Sequence, residues 1–225
     1  MSYTFDFAAV FAYWPLLLEG IWLTVRLTAI ATVLGLMVGI AGALGRRSRI
    51  APVRWLAGGY VELVRNTPFL VQLFFIFFGL PGIGIKLDEG EAALIAMVLN
   101  LGAYATEIVR AGMDATARGQ IEAGMSLGLS RWNVFRHVII VPALAKVYPA
   151  LTSQFIIVML GSSVVSQISA EELTFAANFI QSRNFRSFEV YFVAAGLYLL
   201  LAVAFRQIFN AIGARAFRYM RAGGR

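Results

Sequence analysis

Five stretches of this chain, 16–44, 51–80, 90–113, 142–161 and 188–212, are each predominantly apolar over twenty or more residues. A helix crosses the hydrocarbon core of a bilayer, about 30 Å, with about 20 such residues. The chain therefore reads as an all-α integral membrane protein with five transmembrane helices. Composition agrees: 60% of its 225 residues are hydrophobic and 14% charged, against roughly 45–50% and 25% in soluble domains. No connection is polar and long enough to build a soluble domain, so 1–225 reads as a single transmembrane domain. The 114–141 connection is its longest link. Ahead of the first span, Phe5 to Trp14 reads as a short interfacial piece.

Charge orients the spans. The net charge is +7, but no basic segment is interleaved with a base-stacking platform, which argues against nucleic acid. Segments 44–54, 110–137 and 204–225 hold four, four and five Lys or Arg; the alternating segments 1–16, 81–91 and 161–187 hold none, one and two. Cytoplasmic loops carry the excess of Lys and Arg. This places the N-terminus outside and the C-terminus in the cytoplasm. Asp6 and Glu19 precede the apolar part of the first span, and the basic run Gly45-Arg46-Arg47-Ser48-Arg49 follows it. That is the charge order of a retained helix, not of a cleaved signal. With no Cys and His137 as the only His, disulfides, thiol chemistry and a multi-His metal site are excluded. An intramembrane enzyme has little to work with. No internal repeat marks an inverted-repeat secondary transporter.

The link between spans three and four is the most informative segment. From Gly119 to Leu144 it is long, partly apolar and full of helix punctuation. Gln120 to Leu127 suits two turns of helix, with Glu122 in the first turn near the positive end of the dipole. Ile121, Met125 and Gly128 share a face. Gly128 suits the left-handed conformation that stops a helix. Ser130 is an N-cap for a second amphipathic piece to Val138.

This segment resembles the EAA loop of ATP-binding-cassette importer permeases: Glu122, Ala123 and Gly128 match, and Gly124 replaces the second Ala. Val138 and Ile140 stand where Ile and Leu are expected, with the proline displaced to Pro142. Tyr60 to Pro81, Leu99 to Gln120 and Phe185 to Tyr191 are similar to segments of the polar amino-acid branch. The resemblance implies the type I importer permease fold in a bacterial inner membrane, with the N-terminus periplasmic, and import of polar amino acids. It also implies two cytoplasmic ATPase subunits, a second permease and a periplasmic amino-acid-binding protein as partners. Gln120, Ile121, Glu122, Ala123, Gly124, Leu127 and Gly128 would form the coupling helix that docks the ATPase. No G-x-x-x-x-G-K-[ST] phosphate loop occurs, so this chain is expected to be non-catalytic and to bind no cofactor. ATP and Mg belong to the partner ATPases. An ATP-independent secondary transporter or channel is the alternative.

Charged and polar residues inside spans mark cavities or pairs. Glu62 and Arg65 lie one turn apart, as an ion pair or with Arg65 on a translocation path. Thr67, before the ladder-breaking Pro68, and Gln72 would line that path, as would Asn100 and Tyr104 of span three. Glu107 and Arg110 read as an i, i+3 pair, and Lys146 as a snorkelling side chain. Family members commonly carry Lys-Asp-Thr-Ser at the end of span four, where this chain has Leu160, Gly161, Ser162 and Ser163. Ser162 and Ser163 remain path candidates. The missing acid implies either a substrate held without one or a heterodimer whose partner supplies it.

Overall fold

The computed structural model describes residues 4–217, and those residues form helices and connections without a strand. A short α1 (Ala8–Phe11) leads into α2 (Trp14–Arg46), whose 33 residues rise about 50 Å, beyond the hydrocarbon thickness. The order continues with α3 (Ala51–Arg65), α4 (Phe69–Phe74), α5 (Glu89–Asp114), α6 (Arg118–Ser126), α7 (Arg131–Asn133), α8 (Val141–Gly161), α9 (Leu173–Asn184) and α10 (Ser187–Ala216). Four helical runs are long and apolar enough to span: Trp14–Arg46, Glu89–Asp114, Arg131–Ile168 and Ser187–Ala216. Arg218, Arg221 and Arg225 of the last basic segment lie outside the described residues.

The second expected span is broken. α3 ends at Arg65 and a second helical run, Phe69–Ile83, follows after a break at 66–68, so the span read over 51–80 holds two helical pieces. Pro68 sits at φ −63°, ψ 141°; it has no N–H to donate, and its ring drives Thr67 out of the helical region. Beyond α4 a π-helical turn (Phe75–Gly79) and a 3₁₀ turn (Leu80–Ile83) end the segment. The helical run that carries the fourth span begins at Arg131, ahead of Pro142. A π-helical stretch, Val134–Ile140, joins α7 to α8 without a break. This wider turn stands where the ring of Pro142 would crowd an α-helical carbonyl one turn back.

The chain divides into two compact units. The first holds residues 4–33, 67–98 and 155–205. Its core gathers Val10, Leu17, Leu173, Ala176, Ala177, Ile180, Val190 and Ala194, so α1, α2, α9 and α10 meet there. The N-terminal segment is pinned to α10: the Asp6 N–H donates to Glu189 Oε1 at 2.9 Å and the Arg186 guanidinium to the Thr4 carbonyl at 2.9 Å.

The second unit holds 34–66, 99–154 and 206–217. Here α2 and α5 pack through small residues. A Cβ at Gly35 would lie 2.8 Å from Leu101 Cδ2, and Cβ atoms at Gly39 and Gly42 would collide with Ala105 and Thr106. Between helices in lipid, close backbone approach and van der Waals contact replace hydrophobic drive. The Tyr60 hydroxyl donates to the Leu99 carbonyl at 2.6 Å, tying α3 to the same seam.

Candidate functional site

The long link grows out of an ion-pair network in the second unit. Glu107 takes Arg110 at 2.6 Å and Arg46 at 3.4 Å; Arg110 reaches Asp114 at 3.0 Å, and Arg47 closes on the same Asp114. What reads in sequence as one i, i+3 pair is thus a five-residue cluster joining the end of α2 to the end of α5. Single exposed pairs contribute little, whereas networks hold geometry. Lys146 does not simply snorkel: its Nζ donates to the Ala115 carbonyl at 3.3 Å, satisfying an acceptor left open at the end of α5.

After three residues of connection, α5 gives way to α6. Ala117 is its extended N-cap, at φ −64° and ψ 138°. The helix starts at Arg118, two residues before the expected Gln120, so Glu122 falls outside the first turn, beyond the positive end of the helix dipole. Termination follows the sequence reading. The Leu127 N–H donates to the Ala123 carbonyl and the Leu129 N–H to the Gly124 carbonyl, while Gly128 takes φ +78°. Only a residue without a Cβ adopts that region at no cost. Ser130 then caps α7, accepting from the Asn133 N–H at 3.2 Å.

Burial sorts the expected docking residues. Gly124 is buried, and a Cβ there would sit 3.4 Å from Val134 Cγ2 and Val138 Cγ2. It is the face by which α6 rests on the π-helical stretch. Ile121 is half-buried, and Gln120, Glu122, Ala123, Leu127 and Gly128 are exposed. Leu127 is 82% exposed and Trp132 64%, with Met125 and Leu129 also open. Trp132 belongs to the second amphipathic piece read from the sequence, whereas Leu129, the large apolar residue just before the Ser130 cap, is missed there.

The expected path residues separate between the units. In the second, the Arg65 guanidinium lies over the Tyr104 ring at 5.4 Å. The expected Glu62–Arg65 ion pair is not formed: Glu62 accepts from Asn66 Nδ2 at 3.0 Å instead. The turn that ends α3 brings Asn66 back onto Glu62, and the aromatic face offers Arg65 a cation–π contact. Asn100 is exposed to an intermediate degree on α5. In the first unit, Gln72 Nε2 donates to the Thr67 carbonyl at 2.9 Å and to Thr67 Oγ1 at 3.0 Å, bracing the break around Pro68. Ser162 and Ser163 sit at the start of a 3₁₀ stretch (Ser162–Ile168), each hydroxyl donating three residues back, to Met159 and Leu160.

No cluster of His, Asp and Glu among the described residues has metal-binding geometry. A buried carboxylate that sequence reasoning misses, Glu172, lies outside both groups.

Known proteins share this architecture. The chain is similar to the L-cystine transport system permease protein TcyB of Bacillus subtilis (strain 168), 36% identical over 210 residues, covering 93% of this chain and 90% of that one. It is 34% identical over 221 residues to the glutamine transport system permease protein GlnP of Escherichia coli (strain K12), covering 94% and 97%. A crystal structure of an amino acid ABC transporter with histidines superposes with a TM-score of 0.85 at 37% identity, over 95% of this chain and 100% of the other. Residues 31–219, which include the whole link and all five spans except the start of the first, match the model of the binding-protein-dependent transport system inner membrane component. The chain belongs to that family of inner membrane transport components.

Proposed function

We propose that this chain is the permease subunit of an ATP-driven importer of polar amino acids, working as one transmembrane domain over 1–225. The observation that carries the reading is α6: a nine-residue helix seated through Gly124 on the helix behind it, with Glu122, Ala123, Met125 and Leu127 open. Such a surface, apolar with one carboxylate, suits a groove on a cytoplasmic ATPase. The excess of Arg on alternate links puts it on the cytoplasmic side. Relatives that transport cystine and glutamine support a polar amino acid as cargo.

In this mechanism the chain does no covalent chemistry. ATP and Mg act on two partner ATPase subunits, and a periplasmic binding protein delivers the cargo. Closure of the ATPases displaces α6, and the Arg46–Arg47–Glu107–Arg110–Asp114 cluster passes that displacement to α2 and α5 as a unit. Arg65, Asn100 and Tyr104 of the second unit, and Thr67, Gln72, Ser162 and Ser163 of the first, are proposed as cargo-contacting residues, each set within its own unit. A second, different permease supplies the acidic group that Leu160 to Ser163 lack.

Glu122→Arg tests the docking role. The variant inserts and folds as the parent does, since Glu122 is exposed. In proteoliposomes with its partners, ATP-dependent uptake falls by at least tenfold, equivalent to about 1.4 kcal/mol. Undiminished uptake removes Glu122 from the coupling surface.

A further inference from the structure

Folding hides two carboxylates of the first unit completely, Glu172 and Glu189. Glu189 has a cation beside it, Arg186 at 3.8 Å. Glu172 lies between the 3₁₀ stretch after α8 and the start of α9, among neutral groups. Its Oε1 accepts from the Phe175 N–H at 3.0 Å, capping α9. Its Oε2 accepts from the Thr24 hydroxyl of α2 at 3.5 Å and from the Tyr198 hydroxyl of α10. The Leu173 N–H donates to Thr24 Oγ1 at 3.3 Å, and Tyr198 Oη and Thr174 Oγ1 lie at hydrogen-bond distance, 2.8 Å, where either hydroxyl can donate. A Cβ at Gly20 would stand 2.9 Å from Leu173 Cα, so α2 meets the start of α9 backbone to backbone. One carboxyl group therefore joins three helices of the first unit.

The charged groups on the same elements face elsewhere: Glu19 and Arg26 of α2 and the neighbouring Glu171 are exposed, Arg183 of α9 stacks on Phe179, and Arg186 lies against Glu189. Tyr198 is the titratable side chain that touches Glu172. A buried carboxylate without a cation is costly even when hydrogen-bonded. The neutral acid fits the same heavy-atom positions. With a proton from solvent on Oε2, Glu172 donates to Tyr198 Oη, and the Tyr198 O–H turns to Thr174 Oγ1. No bond other than O–H bonds changes.

We propose that Glu172 is a proton-binding site that makes the junction of α2, α9 and α10 tight when protonated and loose when ionised. Burial pushes its carboxyl above the ordinary carboxylate range, and the donors that pull it down do not cancel this. Because the folded state favours the neutral acid, its contribution to stability is full below the unfolded value of about 4.3. It is lost as pH rises through the raised value. The inference depends on neither the cargo nor the direction of transport.

The test is amide hydrogen exchange over Leu173–Asn184 in the full chain in detergent, corrected for intrinsic pH dependence, from about pH 4 to pH 8. Wild-type protection of α9 falls by at least about tenfold across this range, whereas in Glu172→Gln it stays level near the acid wild-type value. Parallel profiles in the two proteins overturn the proposal. A second readout does not depend on the folding of Glu172→Gln: the infrared C=O band of a buried protonated carboxyl. In the wild type this band titrates away above the ordinary carboxylate range. In Tyr198→Phe, which removes a donor that favours the ionised form, it persists to higher pH. A band that disappears in the ordinary range, or that titrates identically in both proteins, overturns the proposal.

Discussion

Two glycines four positions apart in the link have opposite reasons to be glycine. A Cβ at Gly124 meets Val134 and Val138 at ordinary contact distance, and glycine inside a helix costs roughly 0.5–1 kcal/mol relative to alanine. Gly124→Ala therefore raises the melting midpoint in detergent or leaves it unchanged. Gly128 at φ +78° tolerates no such change: Gly128→Val costs about 1–2 kcal/mol in backbone strain, seen as a lower midpoint. Buried hydroxyls make a second prediction. Thr28 is 0% exposed and its Oγ1 has no protein partner. An unsatisfied buried hydroxyl costs on the order of 1 kcal/mol or more, so Thr28→Val stabilises the chain by about that amount in a denaturation series. Unchanged or lower stability would mean that water satisfies the hydroxyl. Gly128 is legible in sequence as a stop because a glycine closing an amphipathic pair of turns has a local signature. Glu172 is not, since its burial arises from α2 and α10 closing over α9, a contact no local pattern encodes.

Among the helices, apolar length alone places α2, α5 and α10, since crossing lipid needs a fixed number of residues. It says less about what lies inside a span. Pro68 is legible as a break in the second span, but the π-helical and 3₁₀ turns that follow α4 are not, because no local residue pattern marks them. Pro142 suggests a start for the fourth span, yet helix runs through it once a π-helical stretch widens the turn before it. The α2–α5 seam carries a prediction of its own. Gly39→Val forces three extra carbons against Ala105, and overpacking of this kind costs roughly 1–3 kcal/mol. The variant is expected to melt earlier and to be recovered in lower yield from membranes. Ala105→Gly removes the Cβ that is struck but leaves the Ala105 carbonyl carbon at 3.1 Å and the Thr106 nitrogen at 3.2 Å from the added Cβ, so it restores the Gly39→Val variant only in part.

For the molecule as a whole, the charge asymmetry, the five spans and the EAA-like link point the same way, and the family match covers nearly all of them. The helix of the link and its glycine stop are readable because contiguous residues set them. Less readable are contacts between the proposed path residues, Arg65 with Tyr104 and Gln72 with Thr67, which depend on how the chain folds around them. A secondary transporter or channel would work without a partner, and that difference is measurable. The decisive experiment is recovery of partners through an affinity tag on this chain, co-expressed with its neighbouring ATPase and permease genes and extracted in mild detergent. An ATPase subunit and a second, different permease are expected to be recovered, and replacing Glu122 and Gly128 together is expected to lose the ATPase but keep the permease. A chain that emerges alone and moves solute in liposomes without ATP would contradict the importer reading.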